Sequence, residues 1–131
     1  RLAFMVGNPG DNVNTIKKNI IFANKLNPDL LIVNITTPFP GTDMYKWAES
    51  KGLILTRDWD DYDFSKPVMR LENLSAKEIK ELYELMYKSF YLRPRYILKR
   101  IMNIRSLEDI KVTFSGFKAL LSFLDFSSQK S

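Results

Sequence analysis

The chain has 131 residues, 45% hydrophobic and 27% charged, with a formal net charge of +5; this suits one modest globular domain with its own core and excludes disordered or fibrous classes. Cysteine and histidine are both absent, which excludes within these residues a disulfide framework, a thiolate nucleophile, cysteine-ligated zinc or iron-sulfur clusters, the Ser-His-Asp constellation and the usual imidazole base. No apolar run reaches the roughly 18 to 20 residues of a bilayer span, since the most apolar segment, 115–126, is broken by Lys118 and Asp125.

The first residue is Arg1, and residues 2–6 already read as a buried strand with no signal peptide before them. The expectation is a cut through a longer, cytoplasmic chain. Residues 2–6 and 30–35 (LLIVNI) are short apolar runs bounded by Gly, Pro and Asn, the pattern of strands buried on both faces. Between them Val13, Ile16, Ile20 and Ala23 fall at helical spacing, with Asn12 as N-cap and Asn27-Pro28 as the stop. A single helical crossover implies parallel pairing with a right-handed connection.

In a parallel sheet the loops that follow the strands emerge on one edge, where ligands of such sheets usually bind. GNPGD (7–11) follows the first strand and TTPFPGT (36–42) the second, so both are expected to face one site. Gly7, Gly10 and Gly41 permit close approach or positive φ, and Pro9, Pro38 and Pro40 fix the turn direction.

A short helix is predicted from the N-cap Thr42 to about Ser50, ending at Gly52. Residues 53–55 suit a third strand, and DWDDYDF (58–64) an acidic loop. Ser75-Ala-Lys-Glu78 has the form of a capping box, and Ile79, Leu82, Tyr83, Met86 and Phe90 make an amphipathic stripe that ends before Pro94. Further helices are predicted from Pro94 and from Ser106. In the latter, Leu107, Ile110, Phe114, Phe117, Leu121 and Leu124 form a seam expected to pack on the two preceding helices; residues 127–131 read as a disordered tail. The chain thus divides near residue 66 into an α/β part and an all-helical part.

GNPGD lacks the Gly-Lys-Ser/Thr of a P-loop and the G-x-G-x-x-G dinucleotide fingerprint. Its spacing leaves a plain strand-to-helix turn and a ligand loop both open. TTPFPGT carries more prolines and threonines than a turn requires, which favours function. DWDDYDF does not fit an EF-hand, because Asp63 and Met69 stand where Gly and Glu are needed; a solvated loop anchored by Trp59 and Tyr62 suits it better. Charge is segregated: residues 93–105 hold five cations (Arg93, Arg95, Lys99, Arg100, Arg105) and no acid, whereas 57–63 hold four aspartates. FYLRPRYILKR (90–100) has the composition to track a phosphate backbone, but a solvated helix face or a contact with the rest of a larger protein suits it better.

Taken in order, these segments resemble the radical S-adenosylmethionine enzymes. The strand followed by GNPGD resembles their G-x-P-G-E-T turn, and ITTPFPGTDMY (35–45) their t-P-y-P-G-T-x-L-Y segment. GLI (52–54), DWDDYD (58–63), NLSAKEI (73–79) and FYLRPRYILKRI (90–101) are similar to the C-terminal region of the cobalamin-binding subgroup, which includes anaerobic magnesium-protoporphyrin ester cyclases and carbon methylases. The resemblance implies an α/β fold, the C-terminal part of a parallel (β/α) partial barrel (1–65) followed by an all-helical extension (66–131). It also implies an S-adenosylmethionine wall: Met5 and Gly7 near the adenine, Pro9, Gly10 and Asp11 in the turn, and Ile35, Thr36, Thr37 and Pro38 at the next strand end offering backbone contacts. Asp11-Asn12 departs from the family's Glu-Thr.

The family's Cys-x-x-x-Cys-x-x-Cys loop is absent, so these residues cannot be catalytic alone. The parent is then expected to carry the [4Fe-4S] cluster, with cobalamin as a further candidate, and the partner of this chain is its missing N-terminal part. Two other classes remain: a helical oligomerisation module with a second copy as partner, and a basic nucleic-acid module, the less favoured. No membrane partner is expected.

Overall fold

The computed structural model describes residues 1–104, 110, 111, 114–116, 118 and 122. The chain forms two compact units, Arg1–Phe90 and Tyr91–Ser131. In the first, strand β1 (Leu2–Val6) is followed by helix α1 (Val13–Leu26) and strand β2 (Leu31–Ile35), then helix α2 (Asp43–Ser50), a single 3-10 turn at Trp59–Asp61, and helix α3 (Ala76–Tyr91). Helix α4 (Pro94–Met102) lies in the second unit. The expected helix from Ser106 and tail at 127–131 fall largely outside the described residues.

Local chemistry sets the helix ends as the sequence predicts. The Asn12 side chain accepts the N–H groups of Asn14 and Thr15 while the Thr15 hydroxyl accepts the Asn12 N–H, and Asn27 closes α1 in the left-handed region. Thr42 caps α2 by accepting the Tyr45 N–H. At α3, Ser75 and Glu78 form the reciprocal box: the Glu78 carboxylate takes the Ser75 N–H at 2.8 Å, and Ser75 Oγ takes the Glu78 N–H at 3.2 Å. Pro94 begins α4, where its missing N–H costs nothing.

Strands β1 and β2 pair in parallel, from Leu2 opposite Leu31 to Val6 opposite Ile35. Val6, Leu31, Val33 and Ile35 are buried, as are Ile16, Ile20 and Ala23 of α1 and Ile79, Leu82, Tyr83, Met86 and Phe90 of α3. The apolar runs predict burial on both sheet faces, but only one is buried. The other carries Ala3, Met5 and Ile32, with Met5 46% and Ile32 40% exposed. Alternate residues of a strand point to opposite faces, so apolar character at every position speaks of two covered faces; among the described residues the second stays open at Met5 and Ile32.

The sheet has two strands among the described residues. Residues 53–55 do not join it as a third; Ile54 instead makes an antiparallel bridge to Met69, flanked by bonds from Leu55 N–H to Val68 C=O and from Arg70 N–H to Leu53 C=O. The outer edge of β2 is closed by other means. The Tyr87 hydroxyl accepts the Val33 N–H at 3.0 Å and donates to the Val33 C=O at 3.1 Å, and the Ile35 N–H donates to the Phe64 C=O at 2.8 Å. On β1, Leu2 and Val6 bond toward β2. The intervening main-chain groups of Ala3 and Met5 therefore face an edge with no neighbouring strand among the described residues.

Candidate functional site

Both strand-end loops lie on one edge, as parallel pairing requires, and a side-chain bond joins them: the Thr36 hydroxyl donates to Asn8 Oδ1 at 3.0 Å. The first loop turns through Gly7 and Gly10, at φ of 89° and 90°. Its shape is held by Asp11, whose Oδ2 accepts the N–H groups of Gly7 (3.0 Å) and Asn8 (2.9 Å), while the Asp11 N–H donates to the Asn8 C=O. This carboxylate is engaged with its own loop. Gly7 is buried, and a Cβ there would stand 3.3 Å from Ile79 Cγ2, so its close approach is to α3; at Gly10 a Cβ would meet open space.

The second loop starts from buried Thr36 and Thr37. The Thr36 N–H continues the ladder to the Val6 C=O, and the Thr37 hydroxyl turns back to the Ile35 C=O at 3.1 Å. Buried Pro38 leads to Phe39, whose ring centroid lies 5.5 Å from Tyr62 and 5.7 Å from Phe64. Aromatic contact thus holds the acidic segment against TTPFP. Of its two expected anchors, Tyr62 is buried, whereas Trp59 is 64% exposed, with its ring 5.2 Å from that of Tyr62.

The aspartates of 58–63 shape this segment. Asp58 caps the 3-10 turn, and Asp61 accepts from the Thr56 hydroxyl and from Lys66 Nζ, each at 3.1 Å. Asp63 accepts the N–H and hydroxyl of Ser65, both at 2.8 Å. Burial pushes the Asp63 carboxyl up, but these bonds and the Lys66 charge outweigh it and hold the group below its usual range. Between Asp63 and Ser65, Phe64 takes φ of 62°, a left-handed conformation that costs a non-glycine residue about 1–2 kcal/mol. That conformation accompanies the bond that its C=O accepts from the Ile35 N–H, at the exit of β2. On the far side, Lys80 Nζ donates to the Ser65 C=O at 3.0 Å; its ammonium is lowered by burial.

The residues expected to line a cofactor are therefore gathered at one edge in two kinds of setting. Met5, Pro9 and Gly10 are exposed, and Asp11 is half-buried. Gly7, Ile35, Thr36, Thr37 and Pro38 are buried, and the N–H groups of Ile35 and Thr36 are used within the chain. Asn8 and Phe64, which join and brace the loops, escaped sequence reasoning. Asn8 stood in plain sight as the polar residue between Gly7 and Pro9, whereas nothing local marks Phe64. Among the described residues no three His, Cys, Asp or Glu side chains form a group able to hold a metal ion. What these loops offer is shape and main-chain groups.

No family model matches the chain. It is 36% identical over 99 residues to an uncharacterized methyltransferase of Pyrococcus horikoshii, covering 76% of this chain and 22% of that protein. It is 30% identical over 110 residues to the bacteriochlorophyllide d C-8(2)-methyltransferase of Chlorobaculum tepidum (84% and 23%). To the anaerobic magnesium-protoporphyrin IX monomethyl ester cyclase of Rubrivivax gelatinosus it is 22% identical over 94 residues (72% and 17%). The chain spans at most 23% of the length of these curated relatives, and what it is similar to is a part of methyltransferase-type enzymes and of an anaerobic cyclase.

Proposed function

We propose that these residues are the C-terminal part of a radical S-adenosylmethionine enzyme, of methyltransferase or oxidoreductase type. Residues 1–65 supply the last strands of a partial barrel and part of the cofactor wall, and residues 66–131 a helical extension. The observation that carries this reading is the Thr36–Asn8 bond, which ties the two family-like loops into one ledge. Two further features support it. The outer edge of β1 is where a preceding barrel strand would pair, and the sheet face bearing Met5 and Ile32 is the one a barrel would turn inward.

In this reading S-adenosylmethionine lies along the ledge, with Met5 and Gly7 toward the adenine, 35–37 beside it through main-chain groups other than the N–H groups of Gly7, Asn8, Ile35 and Thr36 that the chain itself uses, and the open space at Gly10 leaving room for approach. When bound it supplies an adenosyl radical or an activated methyl group. The role of Asp11 is to hold the turn. An iron-sulfur cluster does not fit these residues, which contain no cysteine; it, and cobalamin if the parent uses it, would be held elsewhere in the parent.

The test is the parent gene and its product. Read upstream, a Cys-x-x-x-Cys-x-x-Cys motif is expected within about 150 residues of Arg1, one domain length. In the anaerobically reconstituted parent, Asn8→Ala should weaken S-adenosylmethionine binding roughly tenfold, the worth of one hydrogen bond. Absence of the motif, or binding indifferent to Asn8, overturns the proposal.

A further inference from the structure

Helix α4 presents two faces of opposite character. Tyr96 is buried, with its ring edge-on to Tyr91 at 5.1 Å. Around the helix from it, at steps of three and four, Leu98, Ile101 and Met102 are 57%, 56% and 70% exposed. Three large apolar side chains on two turns form a stripe that soluble surfaces usually avoid. Cations border it on one side, where Arg95 is exposed and Lys99, one turn on, is half-buried; exposed Arg100 stands one turn beyond Tyr96, on that residue's face, and residues 93–104 contain no acid. Further along, Ile110 and Phe114, four residues apart, are also exposed, with Glu108, Asp109, Lys111 and Lys118 nearby in sequence.

An aliphatic stripe bordered by cations matches the chemistry of an anionic lipid surface, whose acyl boundary accepts the stripe while its headgroups meet the charges. A single-stranded nucleic acid would stack its bases on exposed rings, yet in FYLRPRY Phe90 and Tyr96 are buried and Tyr91 is half-buried. A second copy would bring two positive faces together. We propose that α4 docks this protein on an anionic membrane surface. The sequence expectation of no membrane partner rested on the lack of a spanning segment, and indeed no helix among the described residues is long and apolar enough to cross a membrane; docking on the surface requires none. The inference does not depend on the cofactor reading.

Flotation with lipid vesicles tests it. The protein should float with vesicles containing phosphatidylglycerol and not with phosphatidylcholine alone, and about 0.5 M salt should release it. Replacing both Leu98 and Ile101 by Gln keeps the charge and should abolish flotation. Replacing Arg95 by Gln should weaken it roughly fivefold. All three positions are exposed, and circular dichroism checks that the variants fold. Failure to float with anionic vesicles, equal binding to neutral ones, binding unaffected by the Leu98/Ile101 change, or binding to an oligonucleotide in place of vesicles would each overturn the proposal.

Discussion

Replacing Tyr87 by Phe removes one oxygen and leaves the ring. That oxygen serves the buried residue Val33 twice, accepting its N–H at 3.0 Å and donating to its C=O at 3.1 Å, and so fills the place of a strand beside β2. In Tyr87→Phe both main-chain groups lose their partner while the edge-on contact with Tyr83, 5.2 Å between centroids, is kept. Each buried group left unsatisfied costs about 1–3 kcal/mol. Tyr87 is half-buried, so water replaces part of the loss, and a total near 2 kcal/mol follows. In urea denaturation, with a slope near 2 kcal/mol/M for a domain of this size, the midpoint should fall by about 1 M with the slope unchanged. The hydroxyl of Tyr83 gives a second readout. Burial first, and then the neighbouring Tyr87, push it far above the ordinary tyrosine range; in the variant it should titrate at lower pH by ultraviolet absorbance. A urea midpoint within about 0.2 M of wild type would refute the idea that a side chain closes this sheet edge.

Three further outcomes are expected. Asp11→Ala removes the acceptor of two loop N–H groups and should cost about 2 kcal/mol in thermal or urea unfolding; a loss below about 0.5 kcal/mol would mean the turn holds itself. Gly7→Ala and Gly10→Ala face the same positive φ, worth about 1–2 kcal/mol, but only at position 7 does the new methyl meet Ile79, so Gly7→Ala should be the more damaging; equal losses would contradict the packing of α3 under the turn. Asp63 is held below the usual carboxylate range in the folded chain, so its contribution is complete above the unfolded value near 4 and disappears as pH falls through the lowered folded value. Between pH 6 and 3 wild type should therefore lose more stability than Asp63→Asn, and parallel losses would show that Asp63 has no such role.

What the amino-acid sequence determined by itself is what neighbouring residues decide between them. Asn12, Thr42, the Ser75-Glu78 pair and Pro94 begin helices because orphan N–H groups take the nearest acceptor or require none. The stripe of α3 is legible because a helical period exposes one set of positions and buries the other, and Ile79, Leu82, Tyr83, Met86 and Phe90 are indeed its buried residues. Parallel pairing, and with it the common edge of the two loops, follows from a crossover long enough to hold a helix. Tertiary structure decided what lies across long stretches of chain. Tyr87 reaches Val33 across 54 positions, Thr36 reaches Asn8 across 28, and Phe64 takes a conformation its own sequence disfavours in order to meet Ile35. The two-sided apolar pattern of the strands could not say which face these residues cover and which they leave bare, because a side chain's hydrophobicity records that it is to be buried and not by what.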